Sequence, residues 1–135
     1  MILDSLDLNA DPAWGGDQLE WVDEWDWTPI AQEQERGLTG ALLVQQGVKR
    51  HGRPITLKSN GACWFPLAVV RALEVLRDQP GRVMPLRLPD GREFHVIFDH
   101  SQNAPLKATP LFRQVAPEAD YPFEVELYLL SVAPP

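Results

Sequence analysis

The chain has 135 residues, 44% of them hydrophobic, and a formal charge of -7, a size and apolar content that predict one domain with a core of its own and argue against a second. Its one cysteine, Cys63, excludes an internal disulfide and a cysteine-rich metal site, and no apolar run reaches the roughly 18 residues a transmembrane helix needs. Met1-Ile-Leu-Asp4 lacks the basic start and apolar stretch of a secretion signal, so the expectation is a protein made in a reducing cytoplasm, without membrane insertion, that leaves the cell only as part of an assembly.

The charge is unevenly placed. Residues 1–35 hold ten acids and neither lysine nor arginine, whereas the remaining hundred hold nine acids against twelve bases. One part of the molecule can therefore attract the other, in the same copy or in a neighbour. A nucleic-acid binder usually presents a basic face over its whole fold, so this balance argues against sequence-specific DNA or RNA as a partner.

In chain order, Met1 to Leu8 reads as an opening strand, and Asn9 to Gly16 as a turn-rich loop. From Leu19 to Thr28, Trp21, Trp25 and Trp27 are interspersed with acids. This segment is either a strand or an irregular acidic arm. Its tryptophans either cover the core or anchor a neighbouring subunit, as tryptophan often does at interface centres, with a carbohydrate platform as a third reading. Strands are expected at Thr28 to Gln34 and at Gly37 to Gly47, followed by a compact basic loop, Gly47-Val-Lys-Arg-His-Gly52. That loop is either a solvated turn or a contact for an acidic surface, such as the first 35 residues of an adjacent copy.

Arg53 to Leu57 returns to a strand, and Ser59-Asn-Gly61 turns the chain into Pro66-Leu-Ala-Val-Val-Arg-Ala-Leu-Glu-Val-Leu-Arg-Asp78. There Leu67, Val70 and Leu73, or Val69, Leu73 and Leu76, recur at the spacing of one helical face, with proline suited to the first helical position and Pro80-Gly81 as the stop. Val83 to Leu88 and Glu93 to Phe98 flank Pro89-Asp-Gly-Arg92, a hairpin signal because glycine accepts the positive φ of the turn. Leu106 to Val115 reads as a strand interrupted by Pro110. In Tyr121 to Val132, Phe123, Val125, Leu127 and Leu129 alternate with Glu124, Glu126 and Tyr128, the clearest half-buried strand in the chain. Thirteen prolines, mostly at element boundaries, favour a sheet of short strands with one packed helix over a helix bundle.

Chemistry-bearing patterns are sparse, and no catalytic residue, cofactor site or metal site is expected. Asp99, His100 and Ser101 are consecutive on a turn and point in different directions, with no nucleophile motif around them. His51, His95 and His100 are too scattered for a zinc signature, and no phosphate-cradling glycine loop is present. Cys63, between Ala62 and Trp64, reads as a small buried hydrophobe.

One resemblance stands out as a layout. Gly52-Arg-Pro-Ile-Thr-Leu57, Trp64, the helix with Ala72-Leu73, Leu88-Pro-Asp-Gly-Arg92 leading to Phe94-His-Val-Ile-Phe98, then Ala108-Thr-Pro-Leu111 and Asp120-Tyr-Pro122 follow in an order that resembles small tail proteins of long-tailed bacteriophages and prophages, of the type found at the distal end of the tail tube. It covers residues 38–132 and leaves out the acidic arm.

The resemblance implies a β-sandwich or curved antiparallel sheet with one packed helix; with the periodicity and charge of the sequence, the expected fold is mainly β (α+β), one domain with a helix at about 66–78, an acidic N-terminal arm at 1–35 and a β body at 36–135. The resemblance further implies a non-enzymatic ring component of the virion tail, assembled in the host cytoplasm and joining the tube to tip, hub and receptor-binding proteins. The charge asymmetry adds an expectation of its own: the arm of one copy docks on the body of the next through Trp21, Trp25 or Trp27, with Lys49, Arg50 or Arg53 opposite. A tail terminator or head-tail connector, and a carbohydrate-binding module using the N-terminal tryptophans, are the competing readings.

Overall fold

The structure is a computed structural model and describes residues 1–9, 11–101 and 103–135. Among these, the chain is mainly β with one α-helix, and every strand pairing is antiparallel. No helix of the described residues is long and apolar enough to cross a membrane.

In order, the elements are β1 (Ile2–Leu3), β2 (Leu6–Asp7), a 3-10 turn (Pro12–Trp14), β3 (Glu20–Trp21), β4 (Ile30–Arg36), β5 (Leu42–Val48), β6 (Pro54–Lys58), β7 (Phe65–Pro66), α1 (Leu67–Arg77), β8 (Met84–Arg87), β9 (Glu93–Phe98), β10 (Leu106–Pro110) and β11 (Pro122–Ser131). Nine strands form one sheet whose main path runs β2-β1-β8-β9-β11-β6-β3; β4 and β5 form a second sheet by themselves.

β11 organises the large sheet because it is long enough to hold different partners along its length. Its first half pairs with β10 and β7 and its second half with β9 and β6. The alternation seen in the sequence is the alternation of burial: Phe123, Val125, Leu127 and Leu129 are buried while the residues between them are half-buried. Ile55, Leu57, Met84, Leu86 and Val96 come from the neighbouring strands to complete the same core.

α1 closes that core with Val70 and Leu73 buried and Leu67, Val69 and Leu76 half-buried against it. Pro66 is the cap residue in extended conformation, one position earlier than its expected place inside the helix. The first helical amides find carbonyls outside the helix, Leu67 N-H on Tyr121 O (3.1 Å) and Ala68 N-H on Ala119 O (2.9 Å). The loop before β11 therefore caps the helix that packs on β11.

The β8–β9 hairpin turns at Asp90-Gly91 as the sequence predicts, with Gly91 at φ 95°. Two differences are physical. The strand expected over 106–115 ends at Pro110, which cannot donate to a ladder; after one more bond, from Leu111 N-H to Pro122 O, residues 112–115 leave the sheet. The segment expected as strand or arm over 19–28 has only two strand residues, Glu20 and Trp21, and then turns, because Asp23 and Glu24 bond to other elements instead of a strand partner.

Gly15 shows how tightly the N-terminal segment lies on the body. A β-carbon there would sit 2.0 Å from Ala62 O, and φ is already +106°. Trp64 N-H donates to Trp14 O at 2.9 Å beside it. Only glycine fits this crossing.

A candidate assembly interface

The chain places the tryptophan arm on its own body through Arg53. Arg53 stands just before β6, its amide donating to Ser131 Oγ (2.9 Å) at the end of β11. Its guanidinium carbon lies 4.4 Å from the Trp21 ring centre and 5.3 Å from that of Trp27. Nη2 donates to Glu24 O at 2.7 Å. Arg53 Nε and Trp21 Nε1 are buried without a hydrogen-bond partner among the described residues. For the cation, the two indole faces supply the compensating attraction.

Neighbours reinforce the clasp. Arg92 lies 5.4 Å from the Trp21 ring centre, pairs with the Glu24 carboxylate and donates through Nε to Asp90 (2.7 Å). The bond to Glu24, then that to Asp90, raises the Arg92 pKa further, and the Arg92 backbone N-H together with its side chain lowers that of Asp90. Asp23 accepts from Thr56 N-H (2.9 Å) and Thr56 Oγ1 (2.8 Å), and Phe94 meets Trp21 edge to face at 5.7 Å. Lys49 sits 5.5 Å from the Trp27 ring centre.

Of the six residues singled out in the sequence, Trp21, Trp27, Lys49 and Arg53 thus meet within one copy, and Arg50 lines the same cleft of about 370 Å³ with Trp27 and Arg53. Trp25 stands apart, 89% exposed. Glu24 and Arg92 were not singled out; their only signal was being one acid and one base among many, 68 residues apart.

The clasp holds the two roots of the β4–β5 hairpin, since Trp27 enters it and Lys49 leaves it, and Lys49 N-H donates to Pro29 O at 2.7 Å. Beyond the roots the hairpin has no cover. Every residue of both strands is exposed, and neither strand pairs with the large sheet. The register puts Ile30 opposite Val48, Gln34 opposite Val44 and Arg36 opposite Leu42, so Ile30, Leu42, Val44 and Val48 share one wet face. Gly37 N-H donating to Ala41 O (2.8 Å) closes the tip, where Leu38 is fully exposed.

Elsewhere the structure shows local chemistry. Ser101 is bonded through its amide and hydroxyl to Asp99, while the exposed His100 ring is tilted against Phe98. Burial in the core raises the Cys63 pKa, partly offset by a bond from Ser59. Among the described residues no three His, Cys, Asp or Glu side chains are grouped to hold a metal. No protein-family model, curated protein or solved structure matches the chain.

Proposed function

We propose that this chain is a structural component of a bacteriophage tail, a distal-tail or baseplate ring subunit that joins the tail tube to the tip and receptor-binding machinery. One observation carries the assembly part of this reading: a rooted two-stranded hairpin with Ile30, Leu42, Val44 and Val48 exposed among polar residues on one face and two open edges in water. An isolated hairpin of this kind is marginal in water, and open edges invite pairing with another chain. Holding it by a cation-aromatic clasp keeps it extended for a neighbour that covers it. The resemblance over residues 38–132 supplies the tail as the assembly.

A carbohydrate-binding module is less well supported. Trp21 and Trp27 lie under Arg53, Arg92 and Lys49, which leaves Trp25 as the freely exposed stacking face of the three.

The test is to purify tail particles from a strain that carries the gene and locate the chain by mass spectrometry and immunogold labelling. The expected result is label at the junction of tube and tip. Label at the head-proximal end would support the terminator or connector reading instead, and particles without the chain would refute a tail role.

A further inference from the structure

β11 connects two unlike surfaces. At its end, Ser131 O accepts from Gly52 N-H (2.8 Å) at the root of the β4–β5 hairpin. At its start, Pro122 O accepts from Leu111 N-H (3.1 Å), and Pro122, Leu111, Trp14, Trp64 and Ala13 line an apolar groove of about 210 Å³. Ten residues of strand put about 30 Å between these ends.

The groove is open to solvent at Leu111, and Phe112 beside it is 72% exposed. A second cleft, of about 410 Å³, shares Trp14 and carries Asp7, Asp11 and Asp120. This end of the molecule is apolar with an acidic rim.

The hairpin tip has the complementary character. Leu38 is fully exposed and Leu42 and Leu43 about half exposed. Arg36 Nη1 bonds to Gly40 O across the turn (3.2 Å), and the register sets Arg36 with Leu42 on one face while Leu43 and Glu35 share the other. No salt bridge to Arg36 is formed among the described residues.

We propose that the hairpin tip of one copy docks in the Trp14–Trp64–Leu111 groove of the next, with leucines on the aromatic floor and Arg36 toward the Asp11 and Asp120 rim. This rests on the ring-subunit reading and names the surfaces that make the ring. Because tip and groove are different surfaces of one chain, the contact is head-to-tail, which closes into a ring or runs into a helix according to the rotation per copy.

Leu38→Glu removes the tip and Leu111→Glu blocks the groove; both positions are solvent-accessible, and circular dichroism with thermal melting verifies that each variant folds. In sedimentation velocity the wild-type chain should self-associate, and each variant alone should do so about thirtyfold more weakly or worse, as expected for an interface anchor. Mixed in equal amounts, the two should form a one-to-one dimer and stop, because one intact tip meets one intact groove and both remaining ends are blocked. A monomeric wild type, a Leu38→Glu chain that assembles normally, a Leu111→Glu chain that pairs through its own hairpin, or a mixture that stays monomeric would each overturn the proposal. Any of these, with the chain still found in tail particles, refutes this contact and leaves the tail reading standing. Complementation with the chain absent from particles does the reverse.

Discussion

The Arg53 guanidinium lies 4.4 Å from the centre of the Trp21 ring and is held there by Glu24 O, so a cation at the start of β6 fastens the acidic arm to the sheet of its own copy. Part of the charge asymmetry is neutralised inside the molecule, where Arg92 pairs with Glu24 and Arg82 with Asp4. The hairpin whose roots the clasp holds stays exposed along both strands.

Replacing Arg53 with alanine should therefore free both indoles and release Glu24 O. The expected loss is about 1–3 kcal/mol, from the cation-aromatic attraction and one charge-assisted hydrogen bond. Arg53→Lys should recover only part of it, because an ammonium lacks the planar fork. Urea denaturation reads the stability and tryptophan emission the release; an unchanged midpoint with unshifted emission would count against the clasp.

Gly15→Ala should be costly despite its small size. The new methyl would meet Ala62 O at 2.0 Å while forcing a non-glycine residue to φ +106°. A destabilisation of about 2 kcal/mol or more is expected. Gly16→Ala serves as the comparison: it shares the left-handed strain, at φ +62°, but meets nothing within 4 Å. Thermal melting should rank Gly15→Ala as the worse of the two.

On α1, Leu73→Ala should cost about 2–5 kcal/mol, since Leu73 is fully buried in the core. Val75→Ala, at a 60% exposed position two residues on, should stay within about 0.5 kcal/mol. Equal effects would mean that the helix does not pack as described.

The acid limb of stability should include Asp90. Its pKa is lowered in the folded chain, chiefly by the Arg92 backbone N-H, so its contribution is present above the ordinary value of 3.8 and is lost as pH falls through the lower folded value. Asp90→Asn should flatten the stability profile in that acid window and leave the slope near neutrality unchanged, as followed by denaturation at a series of pH values.

Cys63 carries the opposite sign. Burial raises its pKa above 9.0, so the unfolded chain ionises first and stability falls as pH rises from 9.0 toward the folded value. In the native protein at neutral pH, a maleimide should label Cys63 only at the rate of unfolding; rapid labelling would show that the core around it is open.

The sequence by itself determined the elements whose signals are local. Alternation across Phe123 to Leu129 named the buried face of β11 because successive strand residues point to opposite sides. The three- and four-residue spacing named Leu73 as a core residue of α1, and Asp90-Gly91 named the β8–β9 turn. It also located β4 and β5 to within a few residues, but a strand pattern does not say whether its face will find a core. Tertiary structure decided that this hairpin stands alone, that Asp23, Glu24 and Trp21 meet Thr56, Arg92 and Arg53 in the same copy, and that Gly15 lies against Ala62. These pairings join residues 29 to 68 positions apart in the hydrogen-bonded cases. Opposite charge is non-specific at such separations, and only the packing of the intervening strands selects which acid meets which base.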